Sequence, residues 1–79
     1  MSAEVTVRYW AGARRAAGRD SENLTAADLA DLLGQLNRRP ELAPILAASS
    51  LLVDSLAWRE DQPLTDGAVI DVLPPFAGG

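Results

Sequence analysis

The 79 residues suffice for one small domain, which buries too little surface to enclose a deep pocket of its own. The sequence contains neither Cys nor His, which excludes disulfides and thiolate chemistry and removes the commonest general base and metal ligand. A net charge of −4 argues against binding to nucleic acid, and no apolar run reaches the roughly 20 residues that span a membrane.

The N-terminal part of the chain predicts a strand, a short helix and a weak edge strand. Residues 1–4 lack the pattern of a signal peptide, so we expect a cytoplasmic location. Residues 4–10 alternate at period two and are rich in β-branched and aromatic side chains, which is typical of a strand. Residues 11–17, rich in Ala and Arg, predict a short helix that stops at Gly18. The short polar residues 19–24 predict an edge strand.

The clearest helix of the chain follows. Thr25 is expected to be its N-cap, with Asp28 as a carboxylate near the positive helix end. Apolar residues then recur at helical spacing, at Leu29, Leu32, Leu33 and Leu36. Pro40 prevents the helix from continuing. One face of this helix is therefore predicted to pack against a sheet.

The second half of the chain predicts short elements separated by turns. Residues 41–48 contain Pro44, so they can form only a short turn of helix. Apolar residues 51–53 and 56–58 are separated by Asp54-Ser55, which suggests a hairpin, although Gly would suit the second turn position better. Asp66-Gly67 is a further turn signal, and residues 68–73 form the last strand.

This order of elements predicts a single α+β domain with one main helix packed on one face of a sheet. If the first and last strands are neighbours, four apolar side chains should face the helix, namely Val5, Val7, Ile70 and Val72. Arg8 and Asp71 should then form an exposed ion pair on the opposite face. The same open face is expected to carry Trp10, Val69 and Leu73 and to continue into Phe76 as a partner interface. The alternative is that Trp10 covers the edge of the core.

The C-terminal residues carry the strongest functional signal. Pro74 and Pro75 favour an extended path out of the last strand, and Phe76 follows them. Ala77, Gly78 and Gly79 have almost no side chain, so the segment can enter a narrow channel and deliver a carboxylate. We therefore divide the chain into a domain of residues 1–73 and a flexible donor tail of residues 74–79. No catalytic residues and no bound metal or cofactor are expected within the chain.

The ending Asp66-Gly67, an apolar strand and Pro74-Pro75-Phe76-Ala77-Gly78-Gly79 resembles the MoaD/ThiS family of ubiquitin-like sulfur carriers, in particular its molybdopterin synthase small subunits. Residues 5–18 and 50–54 resemble the same proteins. The resemblance implies a β-grasp (ubiquitin-like) fold with a mixed sheet, in which the first and last strands are parallel and adjacent.

The resemblance also implies a function that depends on partners. The Gly79 carboxylate would be adenylated with ATP by an adenylyltransferase related to ubiquitin-activating enzymes, and then thiocarboxylated with sulfur from a sulfurtransferase. The tail, including Pro74 to Gly78, would enter the large catalytic subunit of molybdopterin synthase. The alternatives are a carrier for the thiamin, cysteine or a natural-product pathway, a ubiquitin-like protein modifier, and a plain β-grasp interaction module.

Overall fold

The computed structural model describes residues 2–57 and 63–75. Within these residues the chain forms, in order, β1 (Ala3–Tyr9), α1 (Ala11–Ala17), β2 (Ser21–Ala26), α2 (Leu29–Asn37), α3 (Ala43–Ala48), β3 (Ser50–Val53), β4 (Leu56–Ala57) and β5 (Val69–Leu73). Each of these elements lies close to its position predicted from the sequence.

The strands form one mixed sheet in the order β2-β1-β5-β3-β4. The first and last strands of the chain, β1 and β5, are parallel neighbours at its centre, and the other pairs are antiparallel. This arrangement confirms the α+β β-grasp prediction. Because β1 and β5 are parallel, their C-terminal ends lie on the same side of the sheet. The chain leaves the sheet there, after Leu73.

The register of β1 against β5 determines which residues enter the core. Val7 pairs with Ile70 and Tyr9 with Val72. All the apolar side chains that were predicted to face the helix are at most 1% exposed, and they share the core with α2 residues Leu29, Leu32 and Leu36. The apolar stripe of α2 therefore covers one face of the sheet, as predicted, and leaves the other face open.

The predicted N-cap of the main helix is wrong by three residues. Thr25 lies in β2, where it pairs with Glu4 of β1. The cap is Asp28, whose side chain accepts a hydrogen bond of 2.8 Å from the Asp31 N–H. Asp31 in turn accepts a hydrogen bond of 2.9 Å from the Ala27 N–H. The ladder between β1 and β2 extends to Ala26, so Thr25 is held in the sheet and the next suitable side chain caps the helix.

Two short-range signals are confirmed at the turns. Gly18 ends α1 with a φ of 76°, and its N–H donates to the Arg14 carbonyl at 2.9 Å. Gly67, with a φ of 85°, donates its N–H to the Glu4 carbonyl at 2.8 Å. A left-handed backbone costs glycine little because it has no Cβ. The second contact joins the turn before β5 to β1, where the parallel pairing begins.

The hairpin between β3 and β4 is also confirmed, although Trp58 of the predicted second strand lies outside the described residues. Asp54 and Ser55 have φ values of 51° and 70°, the left-handed pair that a tight two-residue hairpin requires. We predict that Ser55→Gly raises the free energy of unfolding by about 0.5 to 1 kcal/mol, because glycine adopts this backbone without strain. Ser50→Gly, in the extended backbone of β3, should lower it by a similar amount. Thermal unfolding of both variants checks this, and a destabilised Ser55→Gly would contradict it.

Candidate functional site

The candidate site lies where β5 ends and the tail begins. Leu73 is partly buried at the end of β5, and Pro74 and Pro75 continue from it with decreasing burial. Phe76, Ala77, Gly78 and Gly79 lie outside the described residues, so their predicted flexibility and their predicted role stay predictions. The structure therefore defines the root of the tail, and the properties of that root can be examined directly.

Of the side chains predicted to form a partner interface, Trp10, Val69 and Leu73 lie on the open face of the sheet. Val69, Asp71 and Leu73 alternate with the core residues of β5 and point away from α2. Trp10 directly follows β1, and its indole N–H donates to Asp71 Oδ1 at 2.9 Å. The Trp10 ring therefore lies against this open face, with 45% of the residue exposed. Its role in binding a partner stays a prediction.

A buried carboxylate organises the centre of this face. Arg8 donates to Asp71 through Nε at 2.6 Å and Nη2 at 2.9 Å. The Arg8 guanidinium carbon also lies 5.7 Å from the centre of the Trp10 ring, within the range of a cation–π contact. The hydrogen bonds from Arg8, followed by the bond from Trp10 and the Arg8 charge, hold the pKa of Asp71 below its usual value despite its burial. Asp71 is thus a charged acceptor that fixes both neighbours.

The sequence correctly predicted that Arg8 and Asp71 pair, but the predicted exposure is wrong. Asp71 is only 4% exposed, because Arg8 and Trp10 lie over it, whereas the Arg8 side chain is 46% exposed. The alternation placed these three residues on one face, but it did not report that Arg8 and Trp10 converge on Asp71. Residues 8 and 10 fall on the same side of an extended chain, so both can reach a carboxylate on the neighbouring strand.

A second polar cluster joins β1, β2 and the segment after α2. Glu22 accepts hydrogen bonds from the Tyr9 hydroxyl at 2.5 Å and from Arg39 Nη1 at 2.6 Å. Burial acts to raise the pKa of Glu22, but the bonds from Tyr9 and Arg39 outweigh burial and lower it. This cluster, which the sequence analysis missed, lies at the β2 edge of the sheet and supports the scaffold rather than the tail root.

An open groove with a volume of about 1040 Å³ borders the root of the tail. Its walls come from Trp10, from α1 and α3, and from Leu73, Pro74 and Pro75. Within residues 2–57 and 63–75 no cluster of acidic side chains is suited to hold a metal ion. No helix in the described part of the chain is long and apolar enough to cross a membrane. The described residues thus form an open groove and an open sheet face beside the start of the tail.

Residues 7–79 match the sequence model of the ThiS family. The chain belongs to the ThiS family. Proteins of this ThiS/MoaD group are small ubiquitin-like sulfur carriers or modifiers that do not act as catalysts themselves. The match includes Pro74, Pro75 and all four residues that follow them. No curated protein sequence matches this ThiS-family chain significantly.

Solved structures show the same architecture at modest sequence identity. The small archaeal modifier protein 1 from Methanosarcina acetivorans has a TM-score of 0.84 and 26% identity, over 100% of this chain and 99% of that chain. Two other similar structures contain subunit 1 of molybdopterin-converting factor. A complex of subunits 1 and 2 from Helicobacter pylori gives a TM-score of 0.81 and 27% identity, covering 96% and 99% of the two chains. A putative subunit 1 from Pyrococcus furiosus has a TM-score of 0.83 and 27% identity, over 92% of this chain and 98% of that chain.

Proposed function

We propose that this protein is a sulfur carrier for molybdopterin biosynthesis, in which the Gly79 carboxylate is converted to a thiocarboxylate. The observation that carries the proposal is the family match through Gly79, on a chain whose central strand leads directly into Pro74 and Pro75. A tail rooted in the centre of the sheet has a well-defined starting point. The domain can therefore present the last residues to a partner in a reproducible direction.

The chemistry follows from the properties of a carboxylate, which is a poor acyl donor until one oxygen becomes part of a good leaving group. Attack of a Gly79 oxygen on the α-phosphate of ATP gives an acyl-adenylate and pyrophosphate. The outer sulfur of a persulfide on the sulfurtransferase then attacks the acyl carbon and expels AMP, which gives an acyl disulfide. A second thiol cleaves its S–S bond, which leaves a thiocarboxylate on Gly79 and a disulfide between the two thiols. The adenylyltransferase supplies the ATP site, and ATP use fits the cytoplasmic location expected from the sequence. This protein supplies the acyl group and its position.

The proposed acceptor enzyme is the large catalytic subunit of molybdopterin synthase. The support is the Helicobacter pylori structure, which is a complex of subunits 1 and 2 of molybdopterin-converting factor. The open face beside the tail root offers aromatic and apolar side chains at Trp10, Val69 and Leu73, which suit a protein interface. In this assignment the tail enters the large subunit while the open face docks against it.

We predict that Leu73→Glu weakens binding to the large subunit by at least about tenfold, because it places a charge in the centre of an apolar contact. The fold should be retained, since Leu73 is only partly buried. The matched control is Leu56→Glu on the edge strand β4, where the leucine is 74% exposed. Calorimetric titration should show a loss of affinity for Leu73→Glu and none for Leu56→Glu. Equal affinities of the two variants would place the interface elsewhere.

The direct test of the proposed function is intact mass spectrometry of the full chain. The protein is incubated with ATP, a cognate adenylyltransferase, a sulfurtransferase and a sulfur source. We expect one oxygen to be replaced by one sulfur, and the change to map to the C-terminal peptide. If the same mixture thiocarboxylates another carrier protein of the family but leaves this chain unmodified, the proposal is contradicted.

A second candidate is a protein modifier, and it is favoured by the structural similarity to the small archaeal modifier protein 1. In that case the activated Gly79 carbonyl would be joined to a lysine amine of a target protein, with release of AMP. Immunoblots of cell extract distinguish the two functions. A ladder of covalent conjugates that disappears when Gly79 is deleted supports the modifier, whereas free thiocarboxylate without conjugates supports the carrier.

A further inference from the structure

The groove at the root of the tail adjoins the open face of the sheet but has walls of its own. One wall is α1, which contributes Gly12 and Arg15, and the other is α3, which contributes Ile45 and Ala48. Leu73, Pro74 and Pro75 close one side, so any molecule in the groove contacts the first residues of the tail. Trp10 and Leu73 belong to both the groove and the open face.

The walls of the groove are held in place before any partner binds. At Gly12 an added Cβ would lie 3.0 Å from Ile45 Cδ1, so α1 and α3 are in close contact at the base of the groove. Trp10 is fixed by its indole bond to Asp71, and its backbone N–H donates to the Val72 carbonyl at 3.3 Å. A preformed site loses less conformational entropy on binding than one that must first be ordered.

The groove carries one charged side chain in an otherwise apolar lining. Arg15 lies on its rim and is exposed, and no carboxylate of residues 2–57 and 63–75 forms an ion pair with it. Its neighbour Arg14 differs, because Arg14 Nη1 lies 3.6 Å from Asp20 Oδ1 outside the groove. An occupant that complements the groove therefore combines apolar side chains with a carboxylate placed against Arg15.

We propose that this groove binds an apolar segment bearing a carboxylate, contributed by the large synthase subunit that takes up the tail. The identity of the partner rests on the proposed function. The segment packs between α1 and α3 and pairs with Arg15 while it contacts Pro74 and Pro75. It thereby holds the tail root from the side of α1 and α3, so the groove and the open face together fix the direction in which the tail leaves the domain.

The test compares two neighbouring arginines on α1 of the full chain. Arg15→Glu should weaken binding to the large subunit at least about tenfold, since it brings a carboxylate against the carboxylate of the segment. Arg14→Glu, which makes the same charge change outside the groove, should change the dissociation constant less than about twofold. Raising the salt concentration should weaken the wild-type complex, in which it screens an attraction, and strengthen the Arg15→Glu complex, in which it screens a repulsion. If both variants lose affinity equally, the change in net charge alone explains the loss and the proposal is overturned.

A second pair of variants tests occupancy without changing charge. Ala48 lines this groove, whereas the adjacent Ala47 lines a different depression, between α2, α3 and β3. Both alanines are exposed on α3, so Ala48→Trp and Ala47→Trp disturb the fold similarly. We expect a loss of at least about tenfold in affinity for Ala48→Trp alone.

If wild-type protein binds and Ala48→Trp binds equally well, the groove is empty in the complex and this inference is wrong. If the wild-type protein itself does not bind the large subunit, the proposed function fails as well.

Discussion

Deletion of Gly79 is expected to abolish thiocarboxylate formation and sulfur transfer while leaving the stability of the domain unchanged. In the proposed chemistry the reacting carbon belongs to this residue, so no other group of the chain can replace it. The core of the described residues is complete by the end of β5, and we therefore expect the free energy of unfolding to change by less than about 0.5 kcal/mol. Intact mass, product formation and urea unfolding of the same preparation check the three parts of the prediction.

Two further variants separate the chemistry of Gly79 from its position. One extra residue after Gly79 retains a carboxylate but moves it along the tail, and displacements of about 1 Å can already reduce rates a hundredfold. Gly78→Trp retains the terminal carboxylate and adds bulk at the narrowest part of the tail. We expect both to be inactive in sulfur transfer, with normal unfolding curves. Product formation by the chain without Gly79 would exclude the sulfur-carrier function outright.

Ile70→Ala is expected to cause the largest loss of stability among single substitutions in β5. Ile70 is completely buried opposite Val7 on the helix side of the central strand pair. Truncating a fully buried isoleucine typically costs about 2 to 5 kcal/mol, because transfer free energy is lost and a cavity is left. For a domain of this size such a loss lowers the melting temperature by at least about 8 °C.

The control for Ile70 is its neighbour on the other face of the same strand. Val69 is only partly buried on the open face, so Val69→Ala should cost less than about 1 kcal/mol. Both variants are compared by thermal and urea unfolding. A similar cost at the two positions would mean that the two faces of β5 are equally packed, contrary to a core on the α2 side alone.

The parts of the fold that depend on local patterns could be predicted from the sequence. The alternation in residues 4–10 led to β1, the Asp66-Gly67 turn signal before an apolar segment led to β5, and the leucine spacing led to the buried face of α2. Gly18 and Asp54-Ser55 marked their turns through the backbone conformations they require. These features depend on residues close together in the chain, so the sequence contains the necessary information.

The features that were missed depend on contacts between distant residues. Asp28 caps α2 instead of Thr25 because pairing with β1 extends β2 by two more residues than the polar segment suggested. Asp71 is buried because Arg8 and Trp10, more than sixty positions earlier in the chain, lie over it. The groove at the tail root likewise exists only after α1 and α3 have packed together. Neither a period nor a turn signal reports such contacts.

The central position of β5 has a mechanical consequence. Through its residues 69–73 this strand is hydrogen-bonded to β1 on one side and to β3 on the other. A partner that draws the tail along the axis of β5 loads both ladders in shear, so many hydrogen bonds share the force at once. A tail attached to the two-residue strand β4 would instead peel away one bond at a time. The domain can therefore bear tension on the tail, such as the proposed entry into a partner would apply, without losing its own structure.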